Sequence, residues 1–309
     1  MQHSHLIPVP KFQSGFTTCA TLVLQDIEQV VLEDAPLGVH KVTSRTSHHL
    51  VAPPPPLPSS EALESGSREP EADSRWPAPP RAWEALYPKG SINPAAPIPG
   101  GFGFYLAGPA PFATKLSSGT GAVHVVLSYR MMLQEGWEWV KGGKLPGIFG
   151  GEGDFSYACT GGRQDNRCRC FNIRPMWRAQ GLGELYTYLP LTPSNRARLL
   201  AVPPMSKENP DYGVSVGRGA FTFTRAVGGW ISLAFRVKLN AVGHEDGELE
   251  LWVDGRSVIN VSGLTFRESD GARIKGGHFQ TFFGGHQDDW ASPKDQRAWF
   301  ADVTGVVIE

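Results

Sequence analysis

The sequence predicts an all-β protein, and three observations point there. Gly and Pro supply 36 and 26 of the 309 residues, about one fifth of the chain against roughly 12% in average soluble proteins. From Trp83 onward, short runs of β-branched and aromatic residues alternate with Gly, Asn and Asp, the texture of a sandwich or barrel. No long segment carries apolar residues at helical spacing, and no repeat of solenoid length occurs. The 40% hydrophobic content is enough to build a core.

In chain order, residues 1–80 read as a low-complexity, Pro-rich and largely disordered segment. Nine prolines fall within 51–80, Pro53 to Pro56 among them, with too little apolar surface to offset chain entropy. Upstream, Thr21 to Leu32 has the composition of a short strand or helix, with nothing obvious to pack on. Residues 81–309 form the predicted domain. Its expected strands are Val123 to Met131, Phe171 to Arg178, Glu184 to Leu189, Phe221 to Arg225, Trp230 to Leu239, Glu248 to Val253, Ser257 to Val261, His278 to Phe283 and Ala298 to Val307. Asp254-Gly255 between two alternating runs marks a hairpin, and Gly228-Gly229 another tight turn.

Charge narrows the partners. The 29 Lys+Arg against 30 Asp+Glu argue against a polybasic nucleic-acid binder. Residues 1–80 hold 5 basic and 9 acidic side chains, which leaves the body mildly positive, at 24 basic against 21 acidic. No run approaches the length of a membrane-spanning helix, and Met1 to Pro10 lacks the basic-then-apolar pattern of a signal peptide.

Side chains two apart on a strand share a face. In the segment 171–190, Ile173, Pro175 and Trp177 alternate with Asn172, Arg174, Met176 and Arg178; Leu185, Thr187 and Leu189 alternate with Glu184, Tyr186 and Tyr188. Joined through a five-residue turn at 179–183, the two strands would pair Arg178 with Glu184, Met176 with Tyr186 and Arg174 with Tyr188. An arginine and two phenols then share one polar patch. Upstream, Lys141-Gly-Gly-Lys144 offers a glycine-rich, lysine-bearing loop whose backbone could approach a ligand. It lacks the spacing of a phosphate loop. No metal or cofactor is expected: His278 and His286 stand eight apart, and Asp288, Asp289, Asp295 and Asp302 are scattered.

Four motifs then carry a resemblance: Lys141-Gly-Gly-Lys-Leu-Pro-Gly147; Arg174-Pro-Met-Trp-Arg178; Gly183-Glu-Leu-Tyr-Thr-Tyr-Leu-Pro190; and Phe279-Gln-Thr-Phe-Phe-Gly-Gly-His286 with Trp290-Ala-Ser-Pro-Lys-Asp295. From about Trp83 to the C-terminus the chain resembles polysaccharide lyases of the alginate and glucuronan lyase type, the fungal members most of all. The resemblance implies a β-jelly-roll sandwich whose concave sheet binds an acidic polysaccharide. It places the family's groove lysine on Lys144, its arginine on Arg174 and its tyrosine pair on Tyr186 and Tyr188. Asn172 stands where the family usually has Ser, and still both donates and accepts hydrogen bonds. Asn172, Arg178, Gln280 and His286 are the expected substrate-binding residues.

The implied reaction is β-elimination on a 4-linked polyuronate, alginate or glucuronan. A fixed guanidinium such as Arg174 would neutralise the carboxylate. Tyr188 or Tyr186 would act as base, its pKa depressed by Lys144 and Arg174, with the other phenol or Lys144 as acid. The alternatives are a non-catalytic jelly roll that binds the same polymer, and an interaction domain that binds no saccharide. Among the cysteines, Cys159 can pair with Cys168 or Cys170 across the loop between them, bracing the Arg174 strand. Asn260-Val-Ser262 is an N-glycosylation sequon. The resemblance implies an extracellular enzyme, and a monomer is expected.

Overall fold

The computed structural model describes residues 4–57, 76–119, 121–161, 163, 165–209 and 212–309. Its strands begin with β1 (Ser14–Thr17), β2 (Ile27–Gln29), β3 (Val39–His40), β4 (His49–Val51), β5 (Ala82–Tyr87), β6 (Phe102–Leu106), β7 (His124–Leu133), β8 (Gly142–Lys144) and β9 (Gly147–Glu152). They continue with β10 (Cys170–Arg178), β11 (Leu182–Tyr188), β12 (Lys207–Glu208), β13 (Val214–Thr222), β14 (Ile231–Lys238), β15 (Gly247–Val253), β16 (Arg256–Leu264), β17 (Ala272–Phe283) and β18 (Gln296–Val307). The helices α1 (Ala110–Ser117) and α2 (Pro193–Leu200) are two turns each.

Two sheets form a jelly-roll sandwich. The back sheet runs β16-β15-β14-β7-β18-β1-β2, with β5 on β18 and β4 on β5; the front sheet runs β12-β13-β11-β10-β8-β17-β6-β3, with β9 pairing β10 and β17. Alternation decides what lies between them. Ile231, Leu233, Phe235 and Val237 of β14 point inward, as do Phe171, Ile173 and Trp177 of β10 and Phe279 and Phe283 of β17, so each strand sends every second side chain between the sheets. The Asp-Gly hairpin forms as expected, with Asp254 at φ 50° and Gly255 at φ 74° between β15 and β16, the two positive φ values of a type I′ turn.

The expectation of a disordered segment over 1–80 fails for residues 4–57. Strand β1 pairs with β18, from Ser14 opposite Val307 to Thr17 opposite Thr304, and Thr17 Oγ1 lies 2.6 Å from Thr304 Oγ1. Leu6, Ile7, Val9, Cys19, Leu22 and Ile27 bury against Val126, Ala234, Trp252 and Val306 on the outer face of the back sheet. These apolar residues lack strand or helix period because they cap a finished sheet, so composition hid them. The proline-rich linker reading of 51–80 lies mostly outside the described residues. The helices also escaped expectation: each is short, α1 burying Phe112 and Leu116 and α2 capped by Thr192 Oγ1, which accepts from Asn195 N at 3.1 Å.

The glycine pair before Lys144 serves packing. Strand β8 threads between β10 and β17, Lys144 lying opposite Met176 on one side and Phe282 on the other. A Cβ on Gly143 would stand 2.1 Å from the Trp177 ring and 2.5 Å from the Phe282 carbonyl oxygen, so the strand can approach only as glycine. Its backbone meets Trp177, where the sequence suggested a ligand. Gly143→Ala is expected to destabilise the fold by about 1–3 kcal/mol through overpacking, seen as a lower thermal midpoint; an unchanged midpoint would show that the strand can shift freely.

Candidate active site

The outer face of the front sheet collects the polar residues that strand parity grouped. The observed register sets Asn172 opposite Tyr188, Arg174 opposite Tyr186 and Met176 opposite Glu184. This is two residues from the expected pairing, because Gln180 and Gly181, at φ 62° and 76°, close the hairpin in three residues. A shift of two keeps every side chain on its face, so the patch survives the wrong register. Arg178 still reaches Glu184 diagonally, Nε donating to Oε1 at 2.8 Å.

Lys144 sits at the centre. Its Nζ donates to the Tyr188 hydroxyl at 2.9 Å and lies 4.9 Å from the ring centroids of both Tyr186 and Tyr188. Burial first, and then the positive fields of Arg174, Arg178 and Arg167, hold its pKa well below the ordinary 10.5. The lysine is therefore biased towards a neutral amine. Tyr188 is 1% exposed, and burial pushes it up to about 12 against the lowering pull of Arg174 and Arg167. Burial likewise raises Tyr186. The expected depression of the phenols by nearby cations thus loses to desolvation, and the phenols stay protonated while the lysine loses its proton easily.

Arg174 is 2% exposed. Nε donates to the Leu145 carbonyl at 3.0 Å, Nη1 to Gln280 Oε1 at 3.1 Å, and Nη2 to the Gln280 carbonyl. One N–H on each terminal nitrogen remains for a ligand. Asn172 Nδ2 donates to His278 Nδ1 at 2.7 Å, and the Asn172 Oδ1 is buried without a partner among the described residues. His278 stacks on Tyr105 with centroids 4.2 Å apart, and burial, then Arg174 and Lys144, keep it neutral. With Nδ1 accepting, its Nε2–H is the donor form.

Not every expected binding residue faces this centre. Arg178 is tied to Glu184, which is fully buried; Arg218 Nε donates to the second Glu184 oxygen at 2.6 Å and Ser215 Oγ at 2.5 Å. That carboxylate is a structural clamp with both oxygens occupied. Gln280 holds Arg174. His286 is exposed in the loop after β17, and its Nε2 shares a hydrogen bond with the Tyr212 hydroxyl from the loop before β13. Strand parity would have found His278, which shares a face with Gln280 and Phe282. Arg167, whose guanidinium carbon lies 4.5 Å over the Tyr188 ring, had no such signal, since it lies in an irregular loop. The disulfide that closes this loop joins Cys159 to Cys170, and Cys168 is free. Among the described residues no cluster of His, Cys, Asp and Glu is arranged to hold a metal ion, and no helix is long and apolar enough to cross a membrane.

Comparison with known proteins gives this geometry a family. The family model polysaccharide lyase 14 matches residues 78–303. The fold is similar to that of a marine PL-14 alginate lyase from Aplysia kurodai, at 30% identity and TM-score 0.63 over 74% of this chain and 84% of that one. It is also similar to the alginate lyase vAL-1 from a Chlorella virus, at 23% identity and TM-score 0.57 over 74% and 85%. A third likeness, of fold, is to the alginate lyase Aly36B, at 19% identity and TM-score 0.53 over 74% and 81%. No curated protein matches. With the family model spanning all but the N-terminal strands, the chain belongs to the polysaccharide lyase 14 family and is a polysaccharide lyase.

Proposed function

We propose that the chain cleaves a 4-linked polyuronate, alginate or glucuronan, by β-elimination at the Lys144–Tyr188 pair. One observation carries this reading. Arg174 and Arg167 are gathered around Tyr188 beside the Lys144 amine, and among the described residues neither guanidinium has a carboxylate partner, since Glu184 is occupied by Arg178 and Arg218. Burying uncompensated positive charge is costly, and a polyanion relieves the cost. The likeness to an alginate lyase at 30% identity supports the same substrate class.

The proton arithmetic follows from the two pKa directions. Arg174, with Asn172 and the His278 Nε2–H beside it, holds the uronate carboxylate, so that charge developing at C5 spreads onto it. Neutral Lys144 takes the C5 proton and becomes an ammonium. The C4–oxygen bond breaks, a C4=C5 double bond forms, and the Tyr188 hydroxyl gives its proton to the leaving oxygen. The resulting phenolate is 2.9 Å from the new ammonium, which returns the proton and resets the pair. This assigns Lys144 as base and Tyr188 as acid, with Tyr186 packing beside them; a tyrosine base, the expectation from sequence, would first have to lose a proton that burial retains.

The Cys159–Cys170 disulfide fits an oxidising compartment, and Asn260 of the sequon is exposed on β16. Both support an extracellular working place.

Incubation with glucuronan, polymannuronate and polyguluronate, followed by ultraviolet absorbance of the unsaturated uronate end, should show a rise with at least one polymer. Binding without any rise would reduce the protein to a saccharide-binding module. Tyr188→Phe and Lys144→Ala should each lower kcat by about 10²–10⁴-fold with the fold intact, and full activity in either would remove that residue from the reaction. The competent form of Lys144 is the amine, so kcat/KM should be lost as pH falls through its depressed pKa. Glu184 pulls that pKa upward, so Glu184→Gln should move the acid limb to lower pH; a shift to higher pH would contradict the assignment.

A further inference from the structure

The loop closed by the disulfide presents one guanidinium that the mechanism above does not use. Arg167 opens the 3-10 turn Arg167–Arg169 and is 4% exposed. Its Nε donates to the Arg163 carbonyl at 2.6 Å and its Nη2 to the Tyr212 carbonyl at 2.5 Å. Its Nη1 is buried and has no hydrogen-bond partner among the described residues. No carboxylate pairs with it among the described residues, and its guanidinium carbon lies 4.5 Å over the Tyr188 ring. Two carbonyls thus aim the guanidinium, and the third nitrogen is left as an unused donor inside the site. A buried arginine in that state is short of an anion.

We infer that Arg167 is a substrate-binding residue, its Nη1 taking the carboxylate of the uronate adjacent to the one that loses its C5 proton. A polyuronate carries one carboxylate on every sugar, so a site that fixes the reacting sugar through Arg174 meets a second carboxylate next to it. Arg174 reaches Tyr188 from β10, and Arg167 reaches it from the covering loop. The two cations therefore stand on different elements about one phenol, an arrangement suited to consecutive carboxylates. The Tyr212 residue whose carbonyl accepts from Arg167 Nη2 packs its half-buried ring against the Tyr186 and Tyr188 cluster and stacks on exposed His286 at 5.7 Å between centroids.

This inference rests on the polyuronate reading, and the test separates the two. Arg167→Gln and Arg167→Lys are compared with the unaltered protein on the polymer that it cleaves, together with calorimetric binding of the same polymer under conditions that stop turnover. Arg167→Gln should raise KM and weaken binding by about tenfold, the loss of one charge-assisted hydrogen bond, a larger change than the one in kcat, where Arg167 acts only through its field on Lys144 and Tyr188. Arg167→Lys should recover part of the binding, and the salt dependence of kcat/KM should be shallower in Arg167→Gln. If the glutamine variant fails to fold, Arg167→Lys carries the comparison, with KM raised and binding weakened relative to the unaltered protein because an ammonium cannot reproduce the guanidinium contact. Unchanged KM and binding in folded variants would overturn the inference, as would a fall in kcat at constant KM, which would place Arg167 on the chemistry through Tyr188. Binding without cleavage by the unaltered protein would sink the lyase reading, yet loss of that binding in Arg167→Gln would still uphold the carboxylate contact. Neither binding nor cleavage would remove both.

Discussion

The interaction on which the site depends is the hydrogen bond from the Lys144 amine to the Tyr188 hydroxyl, made in a place where charge is expensive. Burial disfavours an ammonium and a phenolate alike, so it drives the two pKa values apart: lysine down, tyrosine up. The neighbouring arginines reinforce the first shift and oppose the second. What results is a pair in which the amine is an available proton acceptor and the phenol a retained proton donor, within one hydrogen bond of each other.

The scaffold makes this pair possible by close approach. Strand β8 must pass against Trp177 and β17 to set Lys144 between Met176 and Phe282, and only the absence of a side chain at Gly143 lets it do so. Glu184 anchors the other side by binding Arg178 and Arg218, which removes that carboxylate from competition with substrate for Lys144 and Arg174. The Cys159–Cys170 bridge ties the covering loop to the first residue of β10, two positions before Asn172. Each device serves electrostatics by geometry: cations are held together, and among the described residues no acid is free to neutralise them.

Strand parity made much of this legible. The alternation through 172–178 and 184–188 grouped Arg174, Tyr186 and Tyr188 on one face, and the grouping outlived a register error of two because the period is two. The register itself turned on the backbone of Gln180 and Gly181, whose positive φ values have no distinct signature in Ala-Gln-Gly. The direction of the tyrosine shift was not legible either, since burial depends on loops contributed by Arg167 and Tyr212 from outside the periodic strands. Leu6, Ile7 and Val9 were hidden for a related reason: residues that cap the face of a sheet need no period of their own. The roles of Lys144 and Tyr188 were open in sequence and became ordered only when burial was added to charge.

The account stands or falls on the protonation state of one nitrogen. The most direct measurement is the ¹⁵N chemical shift of the Lys144 side chain in lysine-labelled protein, assigned by comparison with Lys144→Arg and followed as pH rises from acid to alkaline. A neutral-amine shift is expected well below the ordinary 10.5. An ammonium shift that persists up to that value would contradict it, because the lysine would then hold its proton through neutral pH and could not accept another.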